Sequence, residues 1–199
     1  MFTRLTLPVA ALVAALTLVP TALAVRVHVR VEGKTRTIFG SSSPVLDGGT
    51  NALTALDAAA AAGEFYYDVK QFSFGPFVDQ IGRFPSAGNS GWVYKVNGVV
   101  PPVGADKYQL KDGDSVLWFW ADFGPSGGSP TLALRRSGRC YSVVAQDDNG
   151  KAKPAAGALL HVGSRRAVAT RAGRACVGPH RGLLVRATMD GAVRSNALP

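Results

Sequence analysis

The run GPSGGSP, Gly124 to Pro130, constrains this chain more than any other stretch. Glycine admits conformations that other residues avoid, proline fixes φ and removes a donor, and serine competes for backbone hydrogen bonds, so the run interrupts any regular element. Strand-like sequence lies on both sides of it. The chain is therefore expected to form two units, residues 25–123 and 131–199, joined by a linker at 124–130.

The first unit opens with VRVHVRVEGKTRTIF, where Val25, Val27, Val29 and Val31 alternate with Arg26, His28 and Arg30. That period predicts a strand with one buried face, His28 lying on the solvated side. A turn at Glu32-Gly33-Lys34 returns the chain through Thr35 to Phe39. In TNALTALDAAAAAG, Thr50 is an N-cap candidate, Leu53, Leu56 and Ala60 share a face, and Gly63 is a natural stop, which predicts a helix of about three turns. The segments FYYDVKQF, GPFVDQIGRF, GWVYKVNG and YQLKDGDSVLWFW follow, short and rich in aromatic or β-branched residues. Asn97-Gly98 signals a type I′ turn and Asp112-Gly113 a second turn. Strands, one helix, then more strands predict an α+β domain, β-grasp-like, with one helix on a mixed sheet.

Aromatic residues dominate this unit's candidate site. On a strand, Trp92 and Tyr94 share one face and Val93 and Lys95 the other; Trp118 and Trp120 likewise oppose Leu117 and Phe119. Both faces of the last strand are apolar, so its second face needs a cover: a loop, the other unit or a partner. Phe72, Phe74, Phe77 and Phe84 in the middle segment are candidates to supply it. Trp92, Tyr94, Phe74, Phe77, Trp118 and Trp120 are thus either core or an apolar platform for a ligand.

Beyond the linker, TLALRR, CYSVVAQDDNG, GALLHVG, RRAVATRAGRACV, GLLVRATMDG and VRSNALP read as strands. Turn signals at Ser137-Gly138, Asp148-Asn149-Gly150, Ala172-Gly173 and Asp190-Gly191 predict a small all-β sandwich. A unit of about 70 residues buries little surface. Cys140 and Cys176 are expected to bridge, pinning two strands, and a bridge between sheets would suit so small a unit; free buried cysteines are the alternative.

Export is expected from the first residues. MFTR is positively charged, LTLPVAALVAALTLVP is uncharged and apolar, and Ala22-Leu23-Ala24 is an A-x-A pattern, so residues 1–24 read as a secretory signal. An uncleaved anchor is the alternative, against which stand the shortness of the run and its Pro8 and Pro20. No later segment is long and apolar enough to span a bilayer.

The formal charge of +9 is concentrated in one half: residues 25–124 hold nine Lys/Arg and ten Asp/Glu, residues 125–199 twelve and three. The arginines are scattered through strands and turns, and Tyr141 is the only aromatic residue among them, which disfavours nucleic acid. Anionic envelope polymers or lipid headgroups suit that charge better; a merely solvated basic surface is the plainer account. No catalytic residue is identified. His28, His161 and His180 lack a neighbouring carboxylate or nucleophile motif, and Asp112-Gly113-Asp114 and Asp147-Asp148-Asn149-Gly150 lack the spaced oxygens of a calcium loop. No metal site or cofactor is called for.

The run from Gly91 to Trp120 carries a resemblance. Gly91-Trp92, Tyr94, Val96-Asn97-Gly98, Gly104-Ala105, Tyr108, Lys111-Asp112-Gly113-Asp114, Val116 and Trp118 resemble the C-terminal β-domain of transcobalamin and intrinsic factor, and a bacterial family of unknown function grouped with it. The resemblance covers residues 25–123. It implies a domain that closes over cobalamin or another corrinoid, with Trp92 at the tryptophan position near the ligand. Where the carriers have Tyr-Trp-Gln, this chain has Gly91-Trp92-Val93, and where they add a helical barrel as a second wall, this chain reads as strands. More loosely, Pro154 to Ala158, Thr170 to Ala175 and VRATMDGAVRSNALP resemble bacterial immunoglobulin-like or transthyretin-like modules, which implies a spacer or adhesive role.

The expected protein is an exported, non-enzymatic binding module of the cell envelope or extracellular space, taking a small molecule such as a corrinoid. The alternative is a structural or adhesive envelope protein contacting a protein or anionic polymer through its basic unit. Nothing in the sequence sets an oligomeric state.

Overall fold

Alternating valines produce the expected first strand, β1 (Arg26–Glu32), but both of its faces are covered: Val27, Val29 and Val31 are fully buried, and so are Arg30 and Glu32 opposite them. The computed structural model describes residues 25–124 and 127–199; the expected signal at 1–24 and Pro125-Ser126 of the expected linker lie outside the described residues. After β1 come β2 (Thr37–Phe39), β3 (Val45–Asp47), helix α1 (Ala52–Gly63), β4 (Tyr67–Phe72), β5 (Gly75–Ile81), β6 (Phe84–Pro85), β7 (Ser90–Val96) and β8 (Ser115–Asp122).

Strand β1 runs parallel to β8, which pairs antiparallel with β7, while β2 and β3 line the other edge of β1, making a five-stranded sheet. Helix α1 lies on one face, burying Ala52, Ala55, Leu56 and Ala59 with the β1 valines and with Val116, Trp118 and Trp120 of β8. Its N-cap is Asn51, not the expected Thr50: the Asn51 side chain accepts from the Thr54 amide and the Thr54 hydroxyl accepts from the Asn51 amide, so two orphan donors are met at once. Gly63 is the last helical residue and Glu64 takes the left-handed cap; a Cβ on Gly63 would come within 2.6 Å of the Phe39 ring. At the turn after β7, Asn97 and Gly98 have φ of 51° and 87°, the paired positive values that a type I′ turn needs.

The expectation of an α+β, β-grasp-like class is overturned. Among the described residues strands take 48% and the single helix 7%, the strands spread over several sheets in a sandwich-like arrangement. The middle segment is the physical reason. Strands β4, β5 and β6 pair only among themselves, as a separate three-stranded sheet, instead of extending the sheet under the helix. Within it, the register slips between Asp68 and Val69, and Pro76 can donate no ladder bond.

The remaining strands are β9 (Thr131–Ser137), β10 (Cys140–Gln146), β11 (Ala152–Pro154), β12 (Leu159–Val162), β13 (Arg165–Val168), β14 (Arg174–Ala175), β15 (Val185–Thr188) and β16 (Ala197–Leu198). They form two four-stranded sheets, β9, β10, β11 and β14 in one and β13-β12-β15-β16 in the other, around a core that includes Leu132, Tyr141, Val143, Leu160 and Val185. Cys140 and Cys176 form a disulfide. It joins neighbouring strands of one sheet, not two sheets, because Tyr141 pairs with Ala175 and so brings the preceding and following residues side by side. Among the described residues no helix is long and apolar enough to cross a membrane.

The second face of β8 is covered from the later part of the chain. Phe119 and Ala121 are buried with Val193 of the β15–β16 connection, beside Val93 and Leu117, while Phe84 of the middle segment lies on the other side, against Trp120. Polar groups complete this junction. Glu32, wholly buried, pairs with Arg30 at 3.2 Å, with Arg194 at 3.1 Å and with Arg186, and accepts from the Thr37 hydroxyl at 3.0 Å. Lys95, also wholly buried, donates to the carbonyls of Asp147 at 2.9 Å and Gln146 at 3.3 Å and to the Thr131 hydroxyl at 3.2 Å.

Burial disfavours the charged Lys95 amine and lowers its pKa from the usual 10.5, against the pull of the Asp148 carboxylate. Between that lowered value and 10.5, the unfolded chain holds a proton that the folded chain has released, so on this residue's account stability rises with pH. Lys95→Met removes the group and the effect. The urea midpoint of wild type relative to this variant is expected to climb as the pH rises toward 10.5, and a difference that stays constant over that rise would refute the assignment.

Candidate functional site

The β4–β5 hairpin projects its aromatic residues beyond the core. Phe72 pairs with Gly75, leaving Ser73 and Phe74 at the tip, where the backbone alone cannot bury a side chain; Phe74 is 74% exposed. The Phe74 ring stacks on Phe72 with centroids 5.2 Å apart and planes 8° from parallel, and Phe72 meets Phe77 edge-on at 6.0 Å. Such pairs add about 0.5–1.5 kcal/mol beyond area burial, enough to hold an exposed hairpin tip in one arrangement.

Phe77 faces a cleft of about 500 Å³, bounded by the Ser86–Gly91 loop, Trp92 and Phe123. Strand β7 supplies Trp92 as the inner wall: it is 5% exposed, donates Nε1–H to the Phe84 carbonyl at 2.8 Å and stands edge-on to Trp120 at 5.8 Å. Phe123, at the end of β8 and half-exposed, is placed by its amide donating to the Asn89 carbonyl at 2.8 Å. Gly91 keeps the floor open, since a Cβ there would lie 3.0 Å from Ser86 Oγ and 4.0 Å from Phe77 Cζ. Ser86 Oγ is itself buried without a hydrogen-bond partner among the described residues. An unmet hydroxyl of this kind costs about 1–3 kcal/mol, and a polar group entering beside it would recover part of that.

The expected site residues separate into two groups. Phe77 and Trp92 meet at the cleft, and Phe74 extends it outward through Phe72. Tyr94 and Trp118 lie in the core under α1, their polar ends met by the Val103 carbonyl at 2.7 Å and the Ala52 carbonyl at 3.1 Å. Burial pushes the Tyr94 hydroxyl pKa up to about 12, so it stays protonated at neutral pH. Trp120 is 9% exposed, and its Nε1 has no partner among the described residues. Sequence reasoning missed Phe123 and Ser86. Phe123 alone left a signal, an aromatic residue between the last strand and the Gly/Pro run.

His28 is half-buried, its Nδ1 3.0 Å from the Ser43 carbonyl, rather than solvated on an open face. Among the described residues no group of three or more His, Cys, Asp or Glu side chains could hold a metal ion.

Geometry of this kind defines a β-rich chain with an aromatic-walled cleft at one end. Residues 49–122, covering α1, the hairpin, the cleft loop and β8, match a family described as "Domain of unknown function (DUF4430)". The chain is also similar, at 16% identity and a TM-score of 0.37, to a crystal structure of a Ruminococcus gnavus ATCC 29149 protein to which metal binding is ascribed; 49% of this chain and 97% of that one are covered. No curated protein matches.

Proposed function

We propose that the protein is an exported, non-enzymatic binding module that holds the apolar edge of a small molecule, such as a corrinoid, in the cleft between Phe77, Trp92 and Phe123. The observation that carries this reading is the gathering of these three rings around about 500 Å³, with the Phe72–Phe74 stack standing exposed beside them. That volume lies within the usual range of small-molecule sites, and rings already held in place lose little freedom on binding. The Cys140–Cys176 bridge supports export, since disulfides persist outside the reducing cytoplasm. The transcobalamin-type resemblance supports the corrinoid class, because the tryptophan it assigns to the ligand, Trp92, is the one that walls the cleft.

Calorimetric titration with cobalamin and cobinamide, followed in parallel by tryptophan fluorescence, tests this. Saturable binding is expected, weakened by about tenfold or more in Phe77→Ala, a loss of about 1.4 kcal/mol. Gly91→Val should abolish it by filling the floor, with the melting temperature confirming that the variant is folded. Folded wild-type protein that shows no binding up to about millimolar ligand, where Kd corresponds to a binding free energy of about −4 kcal/mol, would overturn the proposal.

A further inference from the structure

A second cavity opens at the junction between the five-stranded sheet and β9. Its volume is about 540 Å³, and no Asp or Glu lines it. Arg30 is the unusual member of its wall. The side chain is 6% exposed, and its Nη1 donates to Glu32 Oε1 at 3.2 Å and to the Arg194 carbonyl at 2.8 Å. Nε and Nη2 make no hydrogen bond to the described residues and are open to solvent, since only Ser86 Oγ and Trp120 Nε1 are buried without a partner among those residues. A guanidinium carries five donors, and a buried one is normally saturated by carboxylate, phosphate or carbonyl oxygens. Glu32 does not saturate it, because that carboxylate is shared with Arg186, Arg194 and Thr37.

Around Arg30 the cavity is lined by the Ser42 and Ser115 hydroxyls and by Leu117, with Lys95 and Arg135 as further positive charge; Asn97 and Asn196 also line it, their amides already bonded to Asp114 and the Ser115 amide and to the Leu134 backbone. The Asp114 carboxylate near Asn97 is occupied, accepting from Asn97 Nδ2 at 2.8 Å and from the Lys111 amide at 2.8 Å. Hydroxyl groups beside cations that are only partly offset, Arg30 by Glu32 at 3.2 Å and Lys95 by Asp148 at 3.6 Å, are the complement of an oxyanion attached to a hydroxylated body.

We infer that this cavity binds a small sugar phosphate or sugar carboxylate, with the oxyanion on Arg30 Nε and Nη2, Arg135 adding positive charge to the lining, and the sugar hydroxyls against Ser42 and Ser115. The site is separate from the aromatic cleft and does not depend on what that cleft holds.

The test is calorimetric titration of the full chain with a hexose 6-phosphate, a hexuronate, inorganic phosphate and a neutral hexose. At least one of the two sugar anions should bind, about tenfold or more tighter than inorganic phosphate, and the neutral hexose should give no saturable heat. Arg30→Gln should remove the binding. Because Arg30 also touches Glu32, Ser115→Asp is the second variant: it sets a negative charge on the cavity wall at an exposed position and should abolish binding while the melting temperature stays at the wild-type value. Failure of both sugar anions to bind folded wild-type protein would overturn the inference. So would equal binding of the neutral hexose, or anion binding that both variants leave unchanged. Loss of cobinamide binding in Phe77→Ala with sugar-anion binding intact would show the two sites to be independent.

Discussion

Glu32→Ala should lower the stability of the folded chain by about 3–5 kcal/mol, the cost of breaking a buried ion pair by deleting one partner. The Glu32 carboxylate is wholly buried and lies among Arg30, Arg186 and Arg194. Deleting it removes the only negative charge from a group of three guanidiniums, of which Arg30 is the most deeply buried at 7% side-chain exposure. Even with the carboxylate present, burial pulls the Arg30 pKa down to about 10, as desolvation does to a buried cation. Glu32→Gln keeps the shape and loses the charge, so it should fall between wild type and Glu32→Ala. Urea unfolding of these variants provides the check, and pairing Glu32→Gln with Arg194→Gln should give a coupling energy of about 1–3 kcal/mol. A loss below about 1 kcal/mol for Glu32→Ala would mean that water already shares the cluster, as at exposed pairs.

Removal of the disulfide is the second large effect. Cys140 and Cys176 are 36 positions apart, and closing a loop of that length restricts the unfolded chain by an amount equivalent to about 4 kcal/mol. The bridge belongs to the basic strands, whose small core depends on it more than the helix-covered sheet does. The double variant Cys140→Ala, Cys176→Ala should therefore melt about 7–14 °C below wild type, and wild type under reducing conditions should move toward the same value. A shift under about 2 °C would show that the reduced chain already holds these strands together.

How far the molecule was legible depended on the range of the forces involved. The type I′ turn at Asn97-Gly98, the strand β1 and the three-turn helix are decided by residues close in sequence and form where they were read, although β1 is covered on both faces where one was expected. The two apolar faces of β8 demanded a cover, and one exists. Arg30 misled because a charged residue on an alternating strand reads as solvated, and Glu32 because it was read as part of a turn; the partners that bury Glu32, Arg186 and Arg194, lie far along the chain. The class assignment failed for a related reason: strand character in residues 67–85 is local, but the choice of sheet is not, and β4–β6 formed their own. In the candidate site, Trp92, Phe74 and Phe77 were visible as aromatic residues on strands and turns. Which of the six aromatic candidates would face a cleft depended on how the Ser86–Gly91 loop and Phe123 closed around them.

The parallel pairing of β1 with β8 fixes an order of events during synthesis. One edge of β1 meets β2 and β3 almost at once, since both follow within the next few residues, but the other edge must wait until residues 115–119 have been made. At ordinary translation speed, that interval lasts roughly four to seventeen seconds. Throughout it, the valine-rich β1 offers an open backbone edge to any neighbouring chain, the circumstance in which strands pair with the wrong partner. A newborn molecule is thus most vulnerable before its central strand arrives, and a holding chaperone on the first hundred or so residues would shield the edge for that interval.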